Sequence, residues 1–400
     1  MNPSRRSFLR NASLAAVAAP ILTEAHFARA AQQGSIYTFG VGHPLSPDTV
    51  LINANENPLG PSKSALEAIT AIAKAGGRYD IYNQQEELIK LFANQNGLKE
   101  SYITAWAGSS EPLHYTVLAF TSPDRPFVTA DPSYEAGMAA ARVSKAPIFP
   151  VRLTVDYAHD VKGLVSIAPN AGVIYICNPN NPTGTLTSKK DIVWALENKP
   201  KGSILLVDEA YIHLSDAESV IDLVAADKDL IVLRTFSKIY GMAGIRCGFA
   251  IGRPDLLRKL EPFGGDNALP VTALAAARVS LLDTNLVTER KKIIGDTRRN
   301  TIAWLKTNNY TVIGDSQSNC FMIDTGRKGR SVITAMQDKG VIIGRTWPIW
   351  PNAVRITVGT APEMAKFQTA FKQVMDAPIQ ESADLLTPSS HREDLSTYVG

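Results

Sequence analysis

Three reactive side chains follow three short apolar runs at regular intervals. Val173-Ile-Tyr-Ile-Cys177, Ile204-Leu-Leu-Val207 and Ile231-Val-Leu-Arg234 read as buried parallel strands, since β-branched runs without polar alternation suit a sheet covered on both faces. Asn181, Asp208 and Lys238 lie just beyond these runs, twenty-seven and thirty residues apart, about the length of one βαβ unit. Crossovers of that length bring the three side chains to one edge of one sheet, where open α/β sheets bind their ligands.

An amine, a carboxylate and an amide at one sheet edge suit pyridoxal phosphate. Lys238 supplies the amine for a Schiff base, and Asp208 faces the ring nitrogen so that the protonated ring becomes an electron sink. Asn181 and Tyr211, three residues past Asp208, are donors for the ring's phenolic oxygen. For the phosphate, Gly108-Ser109-Ser110 opens a helix expected over 111–120, whose first amides form an anion site. Ser237 adds a hydroxyl and Arg246 a fork of N–H donors. Each segment alone has an ordinary reading: Asn178 to Gly184 as a turn, Gly108-Ser-Ser as a helix cap, Arg246 as a surface arginine. Their joint occurrence in this order points to the cofactor.

On these segments the chain resembles fold-type I pyridoxal phosphate aminotransferases of the class I/II group, and among them histidinol-phosphate aminotransferases. The resemblance covers roughly residues 35–378. It runs through Asn55-Glu-Asn-Pro-Leu-Gly60, Arg78-Tyr79, Gly108-Ser-Ser-Glu111, Asp131-Pro-Ser-Tyr134, Asn178 to Gly184, Asp208 to Tyr211, Ser237-Lys238, Gly244-Ile-Arg246 and Arg355-Ile-Thr-Val-Gly359. It implies an α/β fold of the aspartate aminotransferase type, with a three-layer doubly wound large domain and a smaller α+β domain. It implies that Tyr134 stacks on the ring, that Tyr79 reaches the phosphate of the neighbouring subunit in a homodimer with shared sites, and that Arg355 clamps the substrate's α-carboxylate. Asn57, Asn181 and Arg345 complete the substrate side, and the substrates are an amino acid and a 2-oxo acid. A decarboxylase or other lyase of the same fold remains an alternative, as does a non-catalytic binding protein.

One segment departs from that pattern. In Gly344-Arg-Thr-Trp-Pro-Ile-Trp350, Arg345 is displaced by one position from the arginine expected of enzymes that grip histidinol phosphate, and two tryptophans follow. The expected donor is therefore an unphosphorylated, aromatic or otherwise bulky amino acid. Trp347 and Trp350 either stack on its ring or pack the smaller domain.

At the start of the chain, Ser4-Arg5-Arg6-Ser7-Phe8-Leu9-Arg10 precedes a mild apolar run from Ala12 to Leu22 and an Ala28-Arg29-Ala30 triplet. Residues 1–30 thus read as a twin-arginine signal peptide. That implies the twin-arginine export machinery as a partner and a periplasmic location. The run is too short for a permanent membrane anchor.

The 400 residues, 45% hydrophobic and 20% charged, are ample for a large core in two domains. The formal charge of +3 resides in the leader: residues 1–30 hold four Arg and one Glu, leaving 37 basic and 37 acidic residues. A neutral mature chain gives no reason to expect nucleic acid or an anionic membrane as partner. Cys177, Cys247 and Cys320 are expected as buried thiols, and the six scattered histidines suggest no metal site. The large domain is expected over 62–285, the smaller one over 36–60 and 286–378, and a loosely ordered tail over 379–400.

Overall fold

The apolar runs become the centre of a seven-stranded sheet in a computed structural model that describes residues 46–80, 82–265 and 267–378. The signal read over 1–30 and the tail over 379–400 lie outside the described residues. The main sheet comprises β2 (Ile103–Trp106), β3 (Phe127–Asp131), β4 (Ile148–Arg152), β5 (Val173–Cys177), β6 (Ile204–Asp208), β7 (Leu230–Thr235) and β8 (Gly248–Gly252). Their order is β2-β8-β7-β6-β5-β3-β4. Every residue of β5, β6 and β7 is buried, as their unbroken apolar character requires. At the edge, β4 is only partly covered and carries Pro150, which an edge position tolerates because one row of N–H groups has no ladder partner there.

The three expected strands are present and parallel, with β6 and β7 slightly longer than their apolar runs. The direction of β8 was not legible: it lies antiparallel to both β7 and β2, so the sheet is mixed. Its first residue, Gly248, packs so closely that a Cβ would come within 2.6 Å of the Gly108 backbone. This contact seats the Gly108-Ser-Ser turn directly on the sheet. The helix that follows spans Ser110–Phe120, with Pro112 tolerated in its first turn.

The chain runs from β3 outward to β4 and then returns to β5 on the other side of β3. That reversal opens a crevice beyond the carboxyl ends of β3 and β5, the place where doubly wound sheets take ligands. Two smaller sheets complete the described chain from Val50 onward, which forms one compact unit. β1 (Val50–Ile52) pairs in parallel with β11 (Val341–Ile343). β12 (Ala353–Thr357), β10 (Cys320–Asp324) and β9 (Thr311–Ile313) form an antiparallel sheet in that order. Arg355 sits mid-strand on β12 opposite Met322, so a rigid element rather than a loop carries its guanidinium.

Candidate active site

Asp208 closes β6 and is buried. Its Oδ2 accepts the Tyr175 hydroxyl at 3.0 Å and its Oδ1 the Ala210 N–H at 3.0 Å. Burial nevertheless pushes the carboxyl up to about 6, against the lowering effect of these bonds and of Lys238. A buried carboxylate raised in this way calls for a cationic partner. Lys238, the residue after Ser237, is half-buried, with Nζ 5.4 Å from the centre of the Tyr211 ring. Burial and then the Arg355 guanidinium bring its ammonium down to about 8, which eases its loss of a proton relative to an ordinary lysine.

Opposite, Arg355 donates from Nη1 to Asn181 Oδ1 at 2.9 Å and from Nη2 to the Asn53 carbonyl. Asn181 Oδ1 thereby takes the arginine, which leaves the Asn181 NH₂ to face elsewhere. Tyr211 is buried beside them, and burial raises its phenol well above the ordinary value, so its proton stays on. Tyr134, just past β3, has Ser110, Asp208 and Arg246 as its polar surroundings, and burial raises its phenol too.

A cradle for an anion lies a few residues away. Gly108 adopts a φ of 91°, and a Cβ there would meet Arg246 Nη2 at 2.2 Å. Only glycine admits the guanidinium to that spot. Arg246 Nη2 donates to the Ala107 carbonyl at 2.8 Å, and Nη1 lies 3.4 Å from Ser237 Oγ. Ser109 precedes the helix without using its side chain as a cap, and Gly108 before it packs on Arg246, so the start of the helix borders the corner formed by Ser237 and Arg246. Lysine, raised carboxyl, phenol and phosphate corner fit pyridoxal phosphate.

Three expected residues stand apart from this cluster. Asn57 donates to the carbonyls of Lys238 and Ile239 at 3.0 and 2.9 Å and accepts the Leu59 N–H. Its side chain is thus committed to holding the Lys238 backbone rather than presented to a substrate. Tyr79, expected at the phosphate of a neighbouring subunit, is 78% exposed. Arg345 is ion-paired with Glu135 and lies with its guanidinium carbon 4.3 Å from the Trp347 ring centre. Trp347 itself is buried against Ile313, Met322 and Ala353, with Arg355 5.6 Å from its ring, and Trp350 meets Tyr157 edge-on at 5.7 Å. Trp347 thus lies under the Arg345 and Arg355 guanidiniums, while Trp350 stays partly exposed.

Sequence reasoning passed over Tyr175 and Asn55. A tyrosine inside an otherwise apolar strand was a signal for the first, because a buried hydroxyl needs a partner. Asn55 lay within a quoted segment but had no apparent partner along the chain. In the fold its NH₂ reaches Tyr211 Oη at 3.1 Å, Cys320 Sγ at 3.2 Å and Asn181 Oδ1 at 3.4 Å. Cys177, Cys247 and Cys320 are all buried free thiols, and burial raises each one.

Fold and site together define an α/β enzyme that handles an amine beside a buried carboxylate. The chain belongs to the aminotransferase class I and II family, which matches residues 47–371, and it is a transaminase. It is 30% identical over 344 residues to an aromatic amino acid aminotransferase of Cutibacterium acnes, a match covering 85% of this chain and 96% of that one. It is 29% identical to a histidinol-phosphate aminotransferase of Moorella thermoacetica, covering 82% and 86%. A solved structure from Erwinia carotovora atroseptica superposes with a TM-score of 0.79 at 28% identity over 83% of this chain and 98% of that one. The histidinol-phosphate aminotransferase of Sinorhizobium meliloti, solved with pyridoxal-5'-phosphate, superposes with a TM-score of 0.76 at 24% identity over 86% and 98%, a likeness of fold.

Proposed function

We propose that this transaminase uses pyridoxal phosphate to move the amino group of an unphosphorylated, bulky amino acid to a 2-oxo acid. The observation that carries the cofactor reading is the meeting of Lys238 and the raised Asp208 carboxyl at one sheet edge, with the Gly108–Arg246 corner beside them. When bound, pyridoxal phosphate supplies an aldehyde that condenses with amines and a ring that accepts electron density from the substrate's Cα. Arg246, Ser237, Ser109 and the Ser110 amide hold the phosphate; Tyr134 covers one face of the ring. Asp208 keeps the proton on the ring nitrogen, and Asn181 and Tyr211 donate to the ring oxygen. Arg355 holds the α-carboxylate through its fork of donors. Lys238 Nζ would hold the cofactor through its amine and would serve as the general base and acid for the proton at the substrate's Cα.

For the donor, the Arg345–Glu135 pair carries the reading. A phosphorylated side chain would have to displace Glu135 before Arg345 could serve it, whereas an uncharged side chain leaves the pair intact. The likeness to an aromatic amino acid aminotransferase supports the same choice. We expect kcat/KM for phenylalanine or tyrosine to exceed that for histidinol phosphate when each is assayed with 2-oxoglutarate. A preference of more than about tenfold for the phosphorylated donor, some 1.4 kcal/mol of transition-state binding, would restore Arg345 as a phosphate ligand.

The twin-arginine signal read at Ser4–Arg10 and the shared site are part of the same proposal. The exposed Tyr79 reaches a neighbouring subunit's phosphate in a homodimer, and the folded, loaded enzyme is exported to the periplasm. Fractionation followed by sedimentation tests both. We expect a periplasmic dimer for the natural chain and retention in the cytoplasm once Arg5 and Arg6 are both replaced by Lys; an active monomer, or export indifferent to that change, refutes the corresponding part.

A further inference from the structure

Asn55 is buried at a left-handed backbone conformation, φ 54°, which asparagine tolerates better than most residues. Its neighbours settle the orientation of its amide. Arg355 has donors only, so the Asn181 atom that receives Nη1 is the amide oxygen. Asn55 lies 3.4 Å from that oxygen and must turn its NH₂ toward it. Thr357 agrees from the other side: its Oγ1 accepts the Asn55 backbone N–H at 2.9 Å and donates to Asn55 Oδ1 at 3.1 Å. The NH₂ so oriented meets Tyr211 Oη at 3.1 Å. The phenol oxygen is therefore an acceptor toward Asn55, and its own proton must point away.

We infer that Asn55 is a positioning residue, whose donation to Tyr211 Oη holds the Tyr211 hydroxyl proton in the direction that serves the cofactor's ring oxygen. This rests on the proposed cofactor. A phenol is a rotor with one proton, and the Asn55 N–H bound to its oxygen limits the directions that proton can take. Asn55 thus acts on the ring oxygen through Tyr211 and touches neither substrate nor ring. The second hydrogen of the Asn55 NH₂ is shared between Cys320 Sγ at 3.2 Å and Asn181 Oδ1 at 3.4 Å.

The test is a spectroscopic pH titration of the cofactor-loaded, substrate-free enzyme, following the absorbance change of the lysine-bound cofactor. Donation by Tyr211 favours the deprotonated form, so Asn55→Gly, which retains the positive φ without strain, should raise the midpoint by about one pH unit. In a Tyr211→Phe background the same substitution should move it far less. Equal movement in both backgrounds, or none in either, overturns the inference. Should Asn55→Gly not fold, Asn55→Asp serves: its carboxylate accepts the Tyr211 proton, so its larger shift should shrink in Tyr211→Phe, and an equal shift there would mean charge alone and overturn the inference. A natural chain that shows no cofactor absorbance overturns the proposed function and this inference with it. A titrating natural chain without a Tyr211-dependent effect overturns this inference alone.

Discussion

Lys238→Ala is expected to lose multiple turnover, with kcat down by at least about a thousandfold, because one nitrogen is asked both to anchor the cofactor and to carry the Cα proton. Its ammonium is lowered to about 8 by burial and by Arg355, so the natural side chain is already poised as a base near neutrality. Among the described residues, the neighbouring cations cannot replace it: Arg355 and Arg246 are guanidiniums committed to Asn181 and to the Ala107 carbonyl. The variant should also lose the visible absorbance of the lysine-bound cofactor while keeping its fold, since only the side chain is removed and Asn57 still holds the backbone carbonyl of residue 238. Steady-state assays and the absorbance spectrum check both halves. Cycling at near the natural rate would withdraw Lys238 from the reaction.

Asp208→Asn separates catalysis from stability. In the loaded enzyme, a neutral amide cannot hold the charge on the ring nitrogen, and kcat should fall about 10²–10³-fold, the scale of losing one preorganised electrostatic partner. Without cofactor the sign reverses. The folded carboxyl is raised to about 6 from 3.8, so the fold prefers the protonated form. Its contribution to stability is fully present below about pH 4 and is lost as pH rises through 6. A shift of that size on a buried group is worth roughly 2–3 kcal/mol. The cofactor-free natural chain should therefore melt lower at pH 7 than at pH 4.5, relative to a cofactor-free Asp208→Asn chain that lacks this slope. Lys238 does not confuse the window, because a lowered ammonium makes its own change only above about 8. Parallel pH dependence in the two chains would show that Asp208 is not held against burial, and an unchanged kcat would remove it as the ring-nitrogen partner.

What the residues alone determined is whatever depends on short-range pattern. Unbroken apolar runs specify buried parallel strands, and a crossover of about thirty residues returns the chain to the same sheet edge, so Asn181, Asp208 and Lys238 could be placed together before any coordinates. The Gly108 turn and the helix after it were legible for the same reason, since glycine, serine and the start of a helix state a local conformation. The tertiary structure alone decided the rest. The antiparallel course of β8 depends on which neighbours its backbone finds, and a run of Gly-Phe-Ala-Ile-Gly says nothing of direction. Asn57 and Asn55 sit two residues apart in one segment, yet one ties down the Lys238 backbone and the other reaches Tyr211, because a turn at positive φ separates their directions. Arg345 found its partner in Glu135, 210 positions away, and Trp347 was buried between core and guanidinium. Local preferences act over a few residues, whereas the partner of a polar side chain depends on which distant segments the packed core brings within about 3 Å, and the order of residues does not contain that distance.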